Sequence, residues 1–183
     1  MLVTDLEIPG LKLIVPPRFE DERGFFSETY SEKALKEAGI PGPFVQDNFS
    51  LSARKGTIRG LHFQKAPYAQ AKLVRVNRGR VLDVAVDIRN TSPTCGKHVV
   101  IELSRENWAQ LYIPAGFAHG FCTLEDDTEV AYKTSAPYAP EAEGGILWSD
   151  PTLAISWPVA PSDVTVSDKD ARLPSFANMA IAF

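Results

Sequence analysis

The sequence predicts a mainly β protein, a sandwich or barrel built from many short strands. Three observations point there. Short runs rich in β-branched and aromatic residues recur along the chain, divided by turn signals at Asn77–Gly79, Asn90–Pro93 and Pro114–Gly116. Fourteen prolines and twelve glycines in 183 residues imply frequent turns. The best helix candidate is a single short segment, SEKALKEAG.

The elements follow in order. Leu11–Val15 is short and apolar, and Pro16-Pro17 stops it. Phe25–Tyr30 mixes aromatic and polar residues. In the helix candidate Ala34, Leu35 and Ala38 form the stripe, Thr29 or Ser31 is the cap, and Gly39 then Pro41 end it. Strands are expected near Val45–Ser50, Thr57–Gln64, Ala71–Asn77, Gly79–Asp87, His98–Leu103, Gln110–Ile113, Gly120–Leu124 and Glu129–Thr134. In Val81–Ile88, Leu82, Val84, Val86 and Ile88 share one face, and Asp83 and Asp87 the other. The last third, with Trp148, Trp157 and SDKDARLP, reads as a wrap over the barrel and not as a second domain.

Composition narrows the function classes. Nineteen basic and 23 acidic side chains give a net charge of −4, which argues against a polycationic nucleic-acid binder. No run approaches the roughly 20 apolar residues of a membrane span, and no basic-then-apolar leader opens the chain. Cys95 and Cys122 lack metal-type spacing and suggest no disulfide framework. A soluble protein of a reducing compartment, with no nucleic-acid or membrane partner, is expected.

With only three histidines in the chain, RGLHFQKAPYAQAKLVRV draws attention, because His62 and Lys72 sit in two strand-like runs. Gly56 followed after five residues by His62, and the P-x-G-x-x-H run from Pro114 to His119, resemble the paired motifs of the cupin superfamily, whose fold is a double-stranded β-helix or jelly roll. Metal-binding cupins carry H-x-H and then a glutamate. Here Gln64 takes the second histidine's place, and no acid follows before Asp83. A transition-metal site needs three or four N, O or S ligands. His62 and His119 alone fall short, so no metal is expected.

Without a metal, His62 is either a satisfied structural histidine or a general base. Lys72 follows on what is expected to be an adjacent strand; it is either a surface residue or, turned inward, a partner for an enolate oxygen. Val130, Tyr132 and Thr134 share a face, so Tyr132 packs in the core or donates a proton, its phenol being neutral at pH 7 with a reference pKa of about 10. Asp170, with Asp168 as competitor, could hold the far nitrogen of His62.

The motifs DERGFFSETY, FVQDN, GTIRGLHFQ, AQAKLVRV, GRVLDVAVDIR, SPTCGKH, IPAGFAHGF, EGGILW and Lys169-Asp170 together resemble the dTDP-4-dehydrorhamnose 3,5-epimerase family, from about Leu6 to Pro174. The resemblance implies one cupin-type jelly-roll domain over 1–183 with short helices, its terminal segments wrapped on the barrel. It implies a cytoplasmic homodimer that needs neither metal nor cofactor and serves surface-polysaccharide synthesis. The implied reaction converts dTDP-4-dehydro-6-deoxy-D-glucose to dTDP-4-dehydro-L-rhamnose by inversion at C3 and C5. His62 is then the general base held by Asp170, Lys72 the partner of the O4 oxyanion, and Tyr132 the acid on the opposite face. Arg23, Glu28, Gln46, Asn48, Arg59, Lys72, His119, Tyr138, Glu143 and Lys169 become substrate contacts. Arg59 suits the diphosphate, Tyr138 the thymine, Glu143 the nucleotide sugar and Lys169 the base site. His119 lines the sugar pocket or packs behind its turn. Arg23 or Phe26 is expected to act across the dimer interface. A mono-epimerase of deoxysugar synthesis, or a non-catalytic sugar-binding jelly roll, are the competing functions.

Overall fold

The computed structural model describes residues 1–179 and 183. Its strands are β1 (Leu2–Asp5), β2 (Lys12–Val15), β3 (Phe19–Asp21), β4 (Gly24–Phe26), β5 (Gln46–Ser52), β6 (Ile58–Gln64), β7 (Lys72–Arg78), β8 (Arg80–Asp87), β9 (His98–Ser104), β10 (Gln110–Ile113), β11 (Phe117–Thr123), β12 (Thr128–Thr134) and β13 (Glu143–Gly145); among the described residues there is one α-helix, α1 (Glu32–Glu37), and four single-turn 3-10 helices in the C-terminal part. One sheet runs β1-β2-β10-β7-β12-β5, the other β13-β6-β11-β8-β9, and β3-β4 is a separate hairpin. From β5 to β7, and again from β9 to β12, the chain changes sheet at every strand. That alternation is the jelly-roll winding, and it sets consecutive strands face to face across the interior.

Three apolar clusters follow from period-two alternation. Val74, Val76, Leu111 and Val130 of the six-stranded sheet meet Val81, Ala85, Val99, Leu103, Phe117 and Phe121 of the five-stranded one in the interior. On the far side of the five-stranded sheet, Leu61, Phe63, Val84, Val86, Ile88 and Ala118 pack under Ile146, Leu153 and Met179 of the C-terminal segment. Strand β8 is thus buried on both faces. Asp83 and Asp87 share the inward face with Val81 and Ala85, and both carboxylates are fully buried.

The third cluster puts Leu35 of α1 and Ile40 on Ile14, Leu73 and Tyr112, outside the six-stranded sheet. Ser31 caps this helix by accepting the Ala34 N–H at 3.4 Å, so Thr29 is not the cap. Its end is a Schellman turn: Ile40 N donates to Leu35 O at 2.9 Å and Gly39 N to Lys36 O at 3.0 Å, with Gly39 at φ +75°. The helix leaves the outer face of β5 bare, where Phe49 is 60% and Leu51 51% exposed.

Several expectations change. Phe25–Tyr30 is not one element; Gly24–Phe26 forms the second arm of a hairpin turning at Glu22-Arg23. Strand β11 begins at Phe117 and not Gly120, which puts His119 inside it. Strands β1 and β13 are additions at sheet edges. Lys72 is not on a strand adjacent to His62: β6 and β7 lie in opposite sheets, because the connection 65–71 crosses the sandwich.

Candidate active site

The crossing of 65–71 brings Lys72 back toward His62, and Lys72 Nζ donates to His62 O at 3.3 Å. His62 pairs in register with His119 on β11. Beyond His119 the register shifts, and the strands touch backbone to backbone: a Cβ on Gly60 would lie 2.5 Å from Gly120 Cα. Only glycine fits there, and Gly60 also has φ +131°. That conformation directs Gly60 N–H to Asp170 Oδ2 at 3.1 Å.

Asp170 arrives on the strap that follows Thr165. The strap docks on β6 through Thr165 N to Gly56 O, 3.0 Å, and Ile58 N to Thr165 O, 2.9 Å. The other oxygen of Asp170 meets His62 Nε2 at 2.9 Å. Burial raises this carboxyl, but the bonds from His62, Gly60 and Ser167 outweigh it and hold the pKa below its usual value. Asp168 is exposed and makes no such contact, so the competition resolves to Asp170. The acceptor fixes the ring proton on Nε2, which leaves the lone pair on Nδ1. His62 is 31% exposed, open to a ligand on that side.

The cavity beside it, about 490 Å³, is lined by Ser50, Arg59, His62, Lys72, His119, Tyr132 and Asp170 among others. A second compartment of about 260 Å³ shares His62, Lys72 and Tyr132 and continues to Gln46, Asn48, Gln64, Tyr138 and Glu143. The five-stranded sheet supplies His62, His119 and Arg59, and the six-stranded sheet Lys72, Tyr132, Gln46 and Asn48. His62 and Tyr132 therefore face one space from opposite walls.

Electrostatics sort the groups. Burial lowers Lys72 to about 8, against the pull of the Asp83 and Glu143 charges. Burial raises Tyr132, with Arg59 opposing, so the phenol keeps its proton at neutral pH. Burial lowers His119 although Asp83 favours its cation. Both Asp83 oxygens lie 3.0 Å from His119 Nε2. Asp83 was not among the expected site residues. Its signal was in the sequence all the same: an acid sharing a face with Val81 and Ala85 must find a partner inside.

At the outer end, Gln46 Oε1 accepts Tyr138 N–H at 2.9 Å, and Gln46 Nε2 donates to Asn48 Oδ1 at 2.9 Å. Tyr138 hydroxyl donates to Glu143 Oε2 at 3.1 Å, and Lys169 Nζ reaches both Glu143 oxygens at 2.6 Å. Arg59 is aimed by Ser52 Oγ at 3.1 Å and Leu51 O at 3.1 Å. Ser50 Oγ, in the cavity wall, is the one buried side-chain polar atom without a hydrogen-bond partner among the described residues.

Two expected residues stand apart. Arg23, 90% exposed, pairs with Asp21 at the hairpin turn and lines neither compartment. Glu28 lies in a hollow with Asp47, Arg75 and Lys133 outside the six-stranded sheet. Among the described residues no three of His, Cys, Asp or Glu are grouped to hold a metal ion. No described helix is long and apolar enough to cross a membrane.

Comparison with known proteins gives a consistent result. Residues 5–178 match the family described as dTDP-4-dehydrorhamnose 3,5-epimerase. The enzyme of that name from Sinorhizobium fredii is 51% identical over 183 residues, covering 100% of this chain and 93% of its own. The crystal structure of a dTDP-6-deoxy-D-glucose-3,5-epimerase from Legionella pneumophila, in complex with dTDP-4-keto-L-rhamnose, superposes with TM-score 0.92 at 47% identity, over 97% of this chain and 93% of that one. A 3'-monoepimerase from Streptomyces bikiniensis, in complex with dTDP-quinovose, superposes with TM-score 0.86 at 34% identity, over 94% and 86%.

Proposed function

Since this chain belongs to the dTDP-4-dehydrorhamnose 3,5-epimerase family, and is an isomerase of dTDP-L-rhamnose synthesis, we propose how its own residues divide the work. The substrate is dTDP-4-dehydro-6-deoxy-D-glucose. Its C4 ketone makes the hydrogens on C3 and C5 removable as protons, without a change of oxidation state. His62 Nδ1 takes a proton, and the electron pair moves onto O4 as an enolate. The Lys72 ammonium stabilises that oxyanion. Tyr132 delivers a proton to the opposite face of the same carbon, the stereocentre inverts, and solvent reprotonates the phenolate and takes the proton held by His62.

One observation carries the assignment: His62 and Tyr132 line the same cavity from opposite sheets. Inversion needs base and acid on opposite faces of the ring, and two facing walls meet that need. His119, kept neutral by burial, lines the sugar end. Arg59 suits the diphosphate as a planar, bidentate donor. Gln46, Asn48, Tyr138, Glu143 and Lys169 receive the nucleoside, with thymine against the Tyr138 ring.

The chain acts as one cupin-type domain in a cytoplasmic homodimer; of the expected span 1–183, positions 180–182 lie outside the described residues. Support for the dimer comes from the bare apolar face of β5 and from Arg23 and Glu28, substrate contacts by family pattern that lie outside this chain's own cavity. The test is NMR of the purified protein with the substrate in deuterated water, chelator present. Label is expected at both C3 and C5 with inversion at each. Label at one carbon alone would make the chain a mono-epimerase.

A further inference from the structure

We propose that Gln64 is a positioning residue for the nucleotide: its amide clamps the backbone on both sides of Tyr138 to the strand that carries His62. The inference rests on the assignment of Tyr138 to the thymine. Gln64 lies two residues beyond His62 on β6 and is 4% exposed. Its Nε2 donates to Tyr68 O at 2.8 Å and to Pro137 O at 3.1 Å, and its Oε1 accepts the Ala139 N–H at 2.9 Å. Both amide protons and the carbonyl are therefore spent on backbone atoms of two loops. Gln70 adds donation to Ala136 O at 2.7 Å and Pro137 O at 3.2 Å.

The segment 135–139 has no regular structure of its own. Its Pro137 O, Tyr138 N and Ala139 N are each held by a side chain, from Gln64, Gln46 and Gln64 in turn. Only a primary amide donates twice and accepts once from a single planar group. Glutamate of the same shape loses both donors and sets a carboxylate against two carbonyl oxygens. Methionine loses all three bonds. A loop freed in this way must be reordered at each binding event, which weakens nucleotide affinity and leaves the acid–base groups on β6, β7 and β12 in place.

The experiment compares wild type with Gln64→Glu, Gln64→Met and Gln70→Leu as full chains. A chelator is present because Gln64→Glu puts a carboxylate where metal-binding cupins carry the second histidine. Substrate kcat and KM, dTDP affinity by calorimetry, and thermal unfolding are measured. Expected are an increase of about tenfold in KM and in the dTDP dissociation constant for Gln64→Glu, a smaller increase for Gln70→Leu, and kcat unchanged within about twofold. In a Tyr138→Ala background the Gln64→Glu loss shrinks, because both act on one contact. A folded Gln64→Glu or Gln70→Leu with unaltered KM and dTDP affinity overturns the proposal, as does a fall in kcat at constant KM. If Tyr138→Ala leaves dTDP binding intact, the thymine assignment fails. The clamp then stands when Gln64→Glu weakens dTDP, and falls when it does not.

Discussion

His62 and Asp170 lie 108 residues apart in sequence and 2.9 Å apart in space, Nε2 to Oδ1. The same carboxylate takes the Gly60 N–H, so strand and strap are fastened at the base itself. Removing the base by His62→Ala should lower kcat on the order of 10²–10⁴-fold, the usual worth of a positioned general base. Asp170→Asn keeps the shape but can no longer hold the proton on Nε2. It should lower kcat by less than His62→Ala, with KM moved by no more than about threefold. A full-rate Asp170→Asn enzyme would show that the tautomer does not matter.

Tyr132→Phe separates the two half-reactions. His62 still makes and quenches the enolate from its own side, so solvent deuterium should still enter the sugar. Net inversion should fall by about 10²-fold or more, because the opposite wall no longer carries a proton. The ratio of exchange to product, read by NMR, is the measurement. A parallel loss of both would place Tyr132 in enolate formation.

Much of this site was legible in the chain because motif and alternation agree. Strand periodicity located β6, β7, β8 and β12, and the residues around His62 carried a recognisable pattern. What escaped is what spacing cannot encode. Lys72 faces His62 from the other sheet because the intervening turn crosses the sandwich. The Asp83–His119 pair joins β8 to β11, and sequence does not say which inward acid meets which inward imidazole. Strands β1 and β13 were missed for different reasons. The first is a four-residue edge strand, and the second, Glu143–Gly145, is two-thirds glycine and pairs only because the Gly144 and Gly145 backbones approach β6 closely.

Lys72 should set the alkaline limb of activity. Burial brings its pKa to about 8. Below that pH the group is an ammonium that can hold the O4 anion; above it the charge is gone, so kcat/KM falls as pH rises through about 8. Stability moves the opposite way. Between about 8 and the ordinary 10.5, the unfolded chain binds a proton that the folded chain has released, so this group's contribution rises with pH across that window. Lys72→Met should therefore abolish the limb together with most of the activity. Below pH 8 it should also raise the unfolding free energy, by up to about 3 kcal/mol at 1.36 kcal/mol per pKa unit. A destabilised Lys72→Met protein would contradict the burial argument.

Asp83 lies beneath both Lys72 and His119, and its charge favours the cation of each. Asp83→Asn removes that support while keeping a polar partner for the imidazole. The alkaline limb assigned to Lys72 should then move to lower pH, which narrows the active range. The pH profile of kcat/KM checks this, and an unshifted limb would mean the carboxylate is not felt at the ammonium.

Arg23 offers the sharpest test of how the pocket is completed. In its own chain it projects from the β3–β4 turn, 90% exposed, and among the described residues its side chain is bound only to Asp21. If it enters the partner's pocket, His62→Ala and Arg23→Ala damage different chains of the same site. A mixed dimer of the two variants then contains one doubly damaged site and one intact site. Random pairing of equal amounts makes half the dimers mixed, so roughly one quarter of all sites should recover wild-type turnover. Co-expression of the two variants under different affinity tags, with purification on both tags, isolates the mixed species and should raise the active share to about half of its sites. Activity no higher than that of the separate variants would put Arg23 and His62 to work in one and the same chain.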